Sequence, residues 1–430
     1  MYSSYSWEER KGDLHISFVF RIPPGIIFLP RIVITGIPKG RIREIGERAL
    51  NNLVFHLGLV EMLSYWKATC SPNIIIEAGY LNKKQINWWH DLIIKGMGEY
   101  FYKNKINFTR PNLFKISSSS SRPKPGLGRR PKPGLGRKVL VPVGGGKDAV
   151  VTLELLKKGK QHIAPFLLNP KREQEQILKI AGLKNPVIVT RTIDPKLPEL
   201  NRKGYLNGHT PFSAYLAFLS VLCAALFDTR YIALSNERSS NEGNVKYLGK
   251  TINHQYSKSF EFENKFRQYS KQYLAKDIEY FSFLRPLYEL QIARLFAKYP
   301  KYFPVFLSCN VANKTFSGRR KPTGKWCGKC AKCLFVWIIL RPFVKEKQLV
   351  SIFKKNLFKD KTLIPLMEQL VGEQGFKPFE CVGTTKESKV ALVLSRGKKK
   401  DHKILHSWNT RHFLSPQFSK LLKTAIIKPS

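Results

Sequence analysis

From Lys138 onward the chain alternates short apolar runs with stretches of helical periodicity, and this alternation restricts the possible folds most severely. Lys138–Val143 (KVLVPV), Ile163–Leu168 and Val187–Thr190 are apolar runs of buried-strand length. Asp148–Lys158 and Lys171–Ala181 have helical spacing, and the long apolar helix Phe212–Phe227 leads into a fourth strand, Tyr231–Ser235. Strands separated by helices pair in parallel, because each crossover returns the chain to the same end of the sheet. The expected fold class is therefore α/β with a parallel sheet. Ligands of such sheets sit beyond the carboxyl ends of the strands. That rule points at Gly144, Gly145, Gly146, Lys147 and Asp148, and then at Asn169, Arg191, Ser235, Asn236 and Glu237.

Upstream, residues 1–115 read as a smaller α+β domain. Leu14–Ile22 and Arg31–Ile37 are strand-like, Ile42, Ile45, Ala49, Leu53 and His56 share a helical face, and Gln85–Phe101 is amphipathic. Residues 116–138 form an expected linker, with five serines from Ser117 to Ser121 and the octapeptide RPKPGLGR twice in tandem from Arg122 to Arg137. Proline and glycine at that density block both helix and ladder. The catalytic domain is expected over 139–395, and 396–430 reads as a basic tail.

Lys plus Arg total 74 against 30 acidic residues, a formal net charge of +44. Such a field attracts polyanions. The basic residues nevertheless run from end to end (Lys157-Lys158, Arg319-Arg320-Lys321, Lys398–Lys400) with no RNA-binding signature, so no specific nucleic acid is expected. Neither Phe212–Phe227 nor Cys333–Leu340 reaches the roughly 20 residues of a bilayer span. Met1 to Leu14 is polar, so no signal segment is expected and the location reads as cytoplasmic.

The strand KVLVPV runs into Gly144-Gly145-Gly146-Lys147-Asp148 and a helix follows. Glycine lets backbone approach phosphate oxygens, and the N–H groups and dipole of a helix start favour an anion. Lys147 can supply a point charge and Asp148 can hold Mg²⁺. The Walker spacing is absent, and a plain tight turn is the competing reading. His254, Lys258, Glu261 and Glu263 concentrate ionisable groups; Lys258 and Arg285 can bind carboxylate or phosphate, and the alternative is a solvated face of ion pairs. The mostly polar Asn236–Gln255 is long for a turn and reads as a functional loop.

Three of the seven cysteines form Cys327-x₂-Cys330-x₂-Cys333, with Cys309 upstream. Four thiolates suit a closed, structural Zn²⁺ site, and this spacing also suits a 4Fe–4S cluster. Without a metal, Cys309 is free to act as an acid–base thiol. Cys381 (KPFEC) is a further thiol candidate or a core residue.

VPVGGGKDAVVTLELL resembles the PP-loop, written S-G-G-x-D-S, of the N-type ATP pyrophosphatases. Gly145, Gly146 and Asp148 match its glycines and aspartate, while Gly144 and Ala149 stand where that motif has serines. Further stretches are similar to the MurL family of UDP-N-acetylmuramoyl-L-alanyl-L-glutamate epimerases. They are HLGLVEMLSYWKATCSP (His56–Pro72), YLNGHTPFSAYLA (Tyr205–Ala217), LSNERSSNEGN (Leu234–Asn244), NHQYSKSFEFE (Asn253–Glu263), YFSFLRPLYELQIARLFA (Tyr280–Ala297), FLSCN (Phe306–Asn310), WCGKCAKCLFV (Trp326–Val336) and KPFECVG (Lys377–Gly383). The resemblance implies a PP-loop ATP-binding domain and an ATP-dependent epimerase of peptidoglycan precursor synthesis, using Mg-ATP and a UDP-MurNAc-dipeptide. It also implies a MurD-type ligase acting alongside, which adds the L-glutamate. Adenylation would remove the carboxylate charge that makes the neighbouring Cα–H so weakly acidic, and a general base would then move the proton. Candidates for the catalytic groups are His254, His209, Cys309, Glu237 and Lys258; Asn207, Arg285 and Glu261 are candidates for holding substrate. A PP-loop enzyme modifying tRNA or nucleobases, or a non-catalytic basic RNA-binding protein, is the competing reading.

Overall fold

The computed structural model of the chain describes residues 1–119, 136–313, 323–397 and 401–427. The tandem octapeptide, Arg319-Arg320-Lys321 and Lys398–Lys400 lie outside them, apart from the Gly136-Arg137 end of the second octapeptide copy, where a strand begins. The described strands, in chain order, are β1 (Tyr2–Arg10), β2 (Asp13–Ile22), β3 (Ile26–Phe28), β4 (Arg31–Ile34), β5 (Asn73–Ile76), β6 (Lys115–Ser118), β7 (Gly136–Pro142), β8 (Ile163–Leu168), β9 (Val187–Thr192), β10 (Thr229–Leu234), β11 (Val245–Tyr247), β12 (Lys250–Ile252) and β13 (Glu279–Ser282).

The parallel region follows the order β13-β10-β7-β8-β9. The chain moves outward from β7 to β8 and β9, then returns to the other side of β7 for β10 and β13. The order therefore reverses between β7 and β10, where an open α/β sheet leaves a crevice for ligand. The turns after those two strands carry Gly144–Asp148 and Ser235–Glu237.

The sheet does not end at β9. β4 pairs with it antiparallel, Arg31 opposite Thr192 and Ile34 opposite Val189, and β2, β1, β5 and β6 continue outward. Strands from both sides of the expected linker thus share one sheet, although the sequence divides there. Strand residues alternate between its two faces. On β7, Val139 and Val141 enter one core and Leu140 the other; Phe166 and Leu167 on β8, and Ile232 and Ala233 on β10, separate likewise. Helix Phe212–Leu226, apolar on all sides, packs on helix Glu47–Trp66 over one face. Helices Lys147–Lys158 and Ala331–Leu340 lie in the other core, and every residue of the second is buried.

Two elements differ from expectation. The segment read as a basic tail carries helix Pro416–Ile427, whose Phe418 and Leu422 are fully buried in the second core. The segment Asn236–Gln255 is not wholly irregular, since it contains the hairpin β11–β12. No helix among the described residues is long and apolar enough to cross a membrane.

Candidate active site

The loop after β7 opens the site. Gly145 has φ +83°, and a Cβ there would lie 3.0 Å from Cγ of Glu173 and 3.2 Å from the carbonyl oxygen of Leu307. Only glycine combines that conformation with that approach. Gly146 starts helix Lys147–Lys158 with no side-chain cap, leaving the first-turn N–H groups aimed at the crevice. Lys147 does not reach outward as a phosphate ligand would. It is 2% exposed, and its ammonium is gripped by Asp148 and Glu289. Asp148 stays 26% exposed at the loop tip. Burial and the charge of Glu289 push its carboxyl up. Burial also acts against Glu289, but Lys147 and Lys332 outweigh it and hold that group ionised.

The turn after β10 adds Glu237, 4% exposed. Burial, with Glu289 beside it, pushes its carboxyl up to about 7. Its neighbours are tied down: Ser235 Oγ donates to Thr152 Oγ1 at 2.9 Å, and Asn236 Nδ2 donates to Ser282 Oγ at 3.2 Å.

Lys258 ends a short 3₁₀ turn, followed by Ser259, whose hydroxyl caps helix Phe260–Tyr273. Its ammonium donates to Cys381 Sγ at 3.1 Å. Burial opposes that charge, but Cys381 and Glu237 hold the pKa above the usual lysine value. Cys381 also meets His254, whose Nδ1 contacts Glu99. Burial would raise the thiol; Lys258 and His254 overcome it and bring Cys381 down to about 5. His254 in turn rises to about 9, because Cys381 and Glu99 outweigh its burial. A thiolate, an imidazolium and a carboxylate therefore stand in a row. His209 packs its ring 4.3 Å from that of His254 and is held neutral, at about 3, by burial and by His254.

Several expected ligands are engaged elsewhere. Arg285 is 0% exposed and uses every donor. Nε goes to Glu263, Nη1 to the carbonyl of Glu237 and to Ser240 Oγ, and Nη2 to the carbonyl of Lys258 and to Ser282 Oγ. It cannot also bind substrate, so its contribution is to fix the backbone under Glu237 and Lys258. Arg191 is turned away from the crevice toward Glu61, with Nε–Oε2 2.8 Å and Nη2–Oε1 2.9 Å. Asn169 clasps the Arg191 backbone through both amide atoms, and Glu261 pairs on the surface with Lys95 and Lys265. Asn207 closes its own turn onto Gly208 N and receives Asn104 at its carbonyl.

The cysteine cluster adjoins this site. Sγ atoms of Cys309, Cys327, Cys330 and Cys333 all lie within 4.8 Å of one another, so the four could hold a metal ion. Cys309 is thereby one sulfur of four. Lys332, inside the cluster, bridges to the site: its ammonium contacts the Cys381 carbonyl, and its N–H donates to Glu380 at 2.7 Å. Glu99, Glu289 and Lys332 escaped the sequence reading. The last two sit inside stretches already singled out, whereas nothing local marks Glu99.

The family described as MurL N-terminal domain matches residues 1–283, and the MurL C-terminal domain matches residues 305–420. The chain belongs to the MurL family. Three relatives are named UDP-N-acetyl-alpha-D-muramoyl-L-alanyl-L-glutamate epimerase. The MurL protein of Micromonospora sp. is 33% identical over 91% of this chain and 86% of its own length. That of Xanthomonas oryzae pv. oryzae is 35% identical over 81% and 76%, and that of Salinispora tropica 33% over 91% and 84%. No solved structure matches this MurL-family chain.

Proposed function

We propose that this chain inverts the terminal glutamate of UDP-MurNAc-L-Ala-L-Glu at Cα, after ATP activates the adjacent carboxylate with release of AMP and pyrophosphate. The observation that carries the reading is the meeting of two kinds of chemistry at one topological reversal. A glycine loop on an uncapped helix start faces a row of proton carriers, Glu237, Lys258, Cys381 and His254. The first suits a polyphosphate and the second suits a carbon acid.

The fit to a nucleotide rests on backbone rather than on Lys147. A Cβ at Gly144 would meet open space, while one at Gly145 or Gly146 would crowd Glu173, Leu307 or Ser308, so the loop offers a phosphate its main-chain N–H groups rather than side chains. Asp148 is the carboxylate at the loop tip with the exposure to hold Mg²⁺. Ala149 is 4% exposed in the second core, so the family serine it replaces would be a buried hydroxyl here.

For the sulfur cluster the reading is Zn²⁺. Tetrahedral zinc with Zn–S of about 2.3 Å needs sulfurs about 3.8 Å apart. Cys309–Cys330 is 3.9 Å, Cys327–Cys333 3.6 Å and Cys330–Cys333 3.6 Å. An iron–sulfur cube, with four metals between the thiolates, needs a wider cage.

Incubation with Mg-ATP and the L,L-dipeptide nucleotide in heavy water tests the reading. The expected product is the D-glutamyl epimer carrying deuterium at Cα, together with AMP and pyrophosphate, and no inversion without ATP. AMP formed beside unlabelled L-glutamate would mean activation for another purpose.

A further inference from the structure

Inversion of a carbon acid needs a proton removed from one face and returned to the other. Among the described residues at the crevice, Cys381 and Glu237 suit this exchange. His254 is held between Glu99 and Cys381, and Cys309 belongs to the sulfur cluster. Cys381 and Glu237 come from different elements; Cys381 Sγ accepts from the Lys258 ammonium at 3.1 Å, and the charge of Glu237 acts on the same ammonium.

We infer that Cys381 and Glu237 form a two-sided proton relay: the thiolate takes the Cα proton from one face while the Glu237 carboxylic acid delivers one to the other. The C–H bond breaks toward sulfur, its electron pair enters the activated acyl group, and a new C–H bond forms from the Glu237 proton. Cys381 is then a thiol and Glu237 a carboxylate, and exchange with water restores both. This rests on the epimerase reading above.

Rigid support fixes the backbone that carries each group. Arg285 and Ser240 hold the Glu237 carbonyl at 2.6 and 2.7 Å. Cys381 lies in a strap fixed on either side, Glu380 by the N–H of Lys332 at 2.7 Å and the Val382 carbonyl by Gln255 Nε2 at 3.1 Å. Cys381 is partly buried and Glu237 is 4% exposed, so the relay needs the dipeptide end of the substrate seated inside the crevice. The charge states are complementary at neutral pH: the thiol lies near 5 and the carboxyl near 7, so one is ready to accept while the other can donate. Lys258 supplies a positive charge for the electron density that the acyl oxygen gains. His254 and Glu99 position the thiolate.

The test uses full-length protein, Mg-ATP and each epimer of the dipeptide nucleotide in heavy water. Cα deuterium, inversion and AMP are followed separately. In both Cys381→Ser and Glu237→Gln, inversion should fall by at least ~10²-fold while AMP release persists. Deuterium should enter only one epimer in the first variant and only the other epimer in the second. The same labelling pattern in both variants, inversion within a few-fold of wild type, or loss of AMP release would overturn the relay. AMP without inversion in wild type instead refutes the epimerase reading and removes the relay with it.

Wild-type protein gives a reading independent of the variants' folding. Iodoacetamide at pH 6.5 should alkylate Cys381, located by peptide mass mapping, in step with lost inversion. Either epimer should slow the reaction. An inert Cys381, or alkylation indifferent to substrate, would also overturn the proposal.

Discussion

Arg285 Nη1 donates to the backbone carbonyl of Glu237 at 2.6 Å, from a guanidinium that is itself fully buried against Glu263. One side chain thus sets the height of the turn after β10 and, through the Lys258 carbonyl, of the turn before helix Phe260–Tyr273. Arg285→Gln should cost about 3–5 kcal/mol, because it leaves Glu263 charged and buried with the Ser282 N–H but no positive partner. A denaturant titration measures this. Arg285→Lys should recover some stability but not inversion, since one ammonium cannot replace a five-donor fork.

Arg191 makes the opposite case to its sequence reading. Its fork on Glu61, which is 0% exposed, ties the parallel sheet to helix Glu47–Trp66, and its guanidinium lies 4.4 Å over the Tyr215 ring. Arg191→Ala should lower stability by about 3–5 kcal/mol. Its KM for ATP, measured at a temperature where the variant is folded, should stay within about twofold of wild type. A large rise in that KM with stability unchanged would return Arg191 to the nucleotide.

Asp148→Asn should reduce pyrophosphate release by roughly 10²–10³-fold with the melting curve held close to wild type, since the charge is removed where Mg²⁺ and phosphate would develop theirs. Lys147 keeps Glu289 as its partner in the variant, which preserves the buried pair. An unchanged rate would move the nucleotide site away from this loop.

Elemental analysis should find about one zinc per chain and no visible-range chromophore. Cys330→Ser, or prolonged chelation, should lower the melting temperature as well as activity, because metal binding to a four-thiolate site is linked to folding. Iron with sulfide would refute the zinc assignment.

His56 gives stability a dependence on acid. The ring is 2% exposed, with Nδ1 2.8 Å from the Asn52 carbonyl oxygen, and burial lowers its pKa from 6.5 to about 4. The folded chain therefore resists a proton that the unfolded chain accepts. The neutral ring's full contribution is present above 6.5 and declines as pH falls from 6.5 toward 4, by ~3 kcal/mol at most. His56→Gln should flatten that part of the stability–pH curve in urea titrations; an unchanged slope would locate the acid sensitivity elsewhere.

What was legible in the sequence was what depends on near neighbours. Ile163–Leu168 is a strand with the bounds its apolar run gives, and Phe212–Leu226 is the buried helix its all-round hydrophobicity demands. β1 escapes a reading by hydropathy because Ser3, Ser4, Ser6, Glu8 and Glu9 make it polar, although it pairs with β2 across a tight turn at Lys11-Gly12. Arg191 reads as a ligand residue because the partner that neutralises it, Glu61, is 130 residues away, whereas the partner of Arg285, Glu263, lies only 22 residues off and its pairing depends on the fold between them. Glu99 and His254 meet across 155 residues, and no local pattern can announce such a contact.

The antiparallel seam between β4 and β9 also imposes an order in time. Ile34 cannot find Val189 until that residue has been synthesised, about 10–30 s later at ordinary rates of elongation. Until then β4 offers a bare row of N–H and C=O groups beside finished neighbours, the kind of edge that recruits foreign strands. The early part of this chain is therefore dependent during its own birth, and slowing translation between the two strands should lengthen its exposure to chaperones and to aggregation.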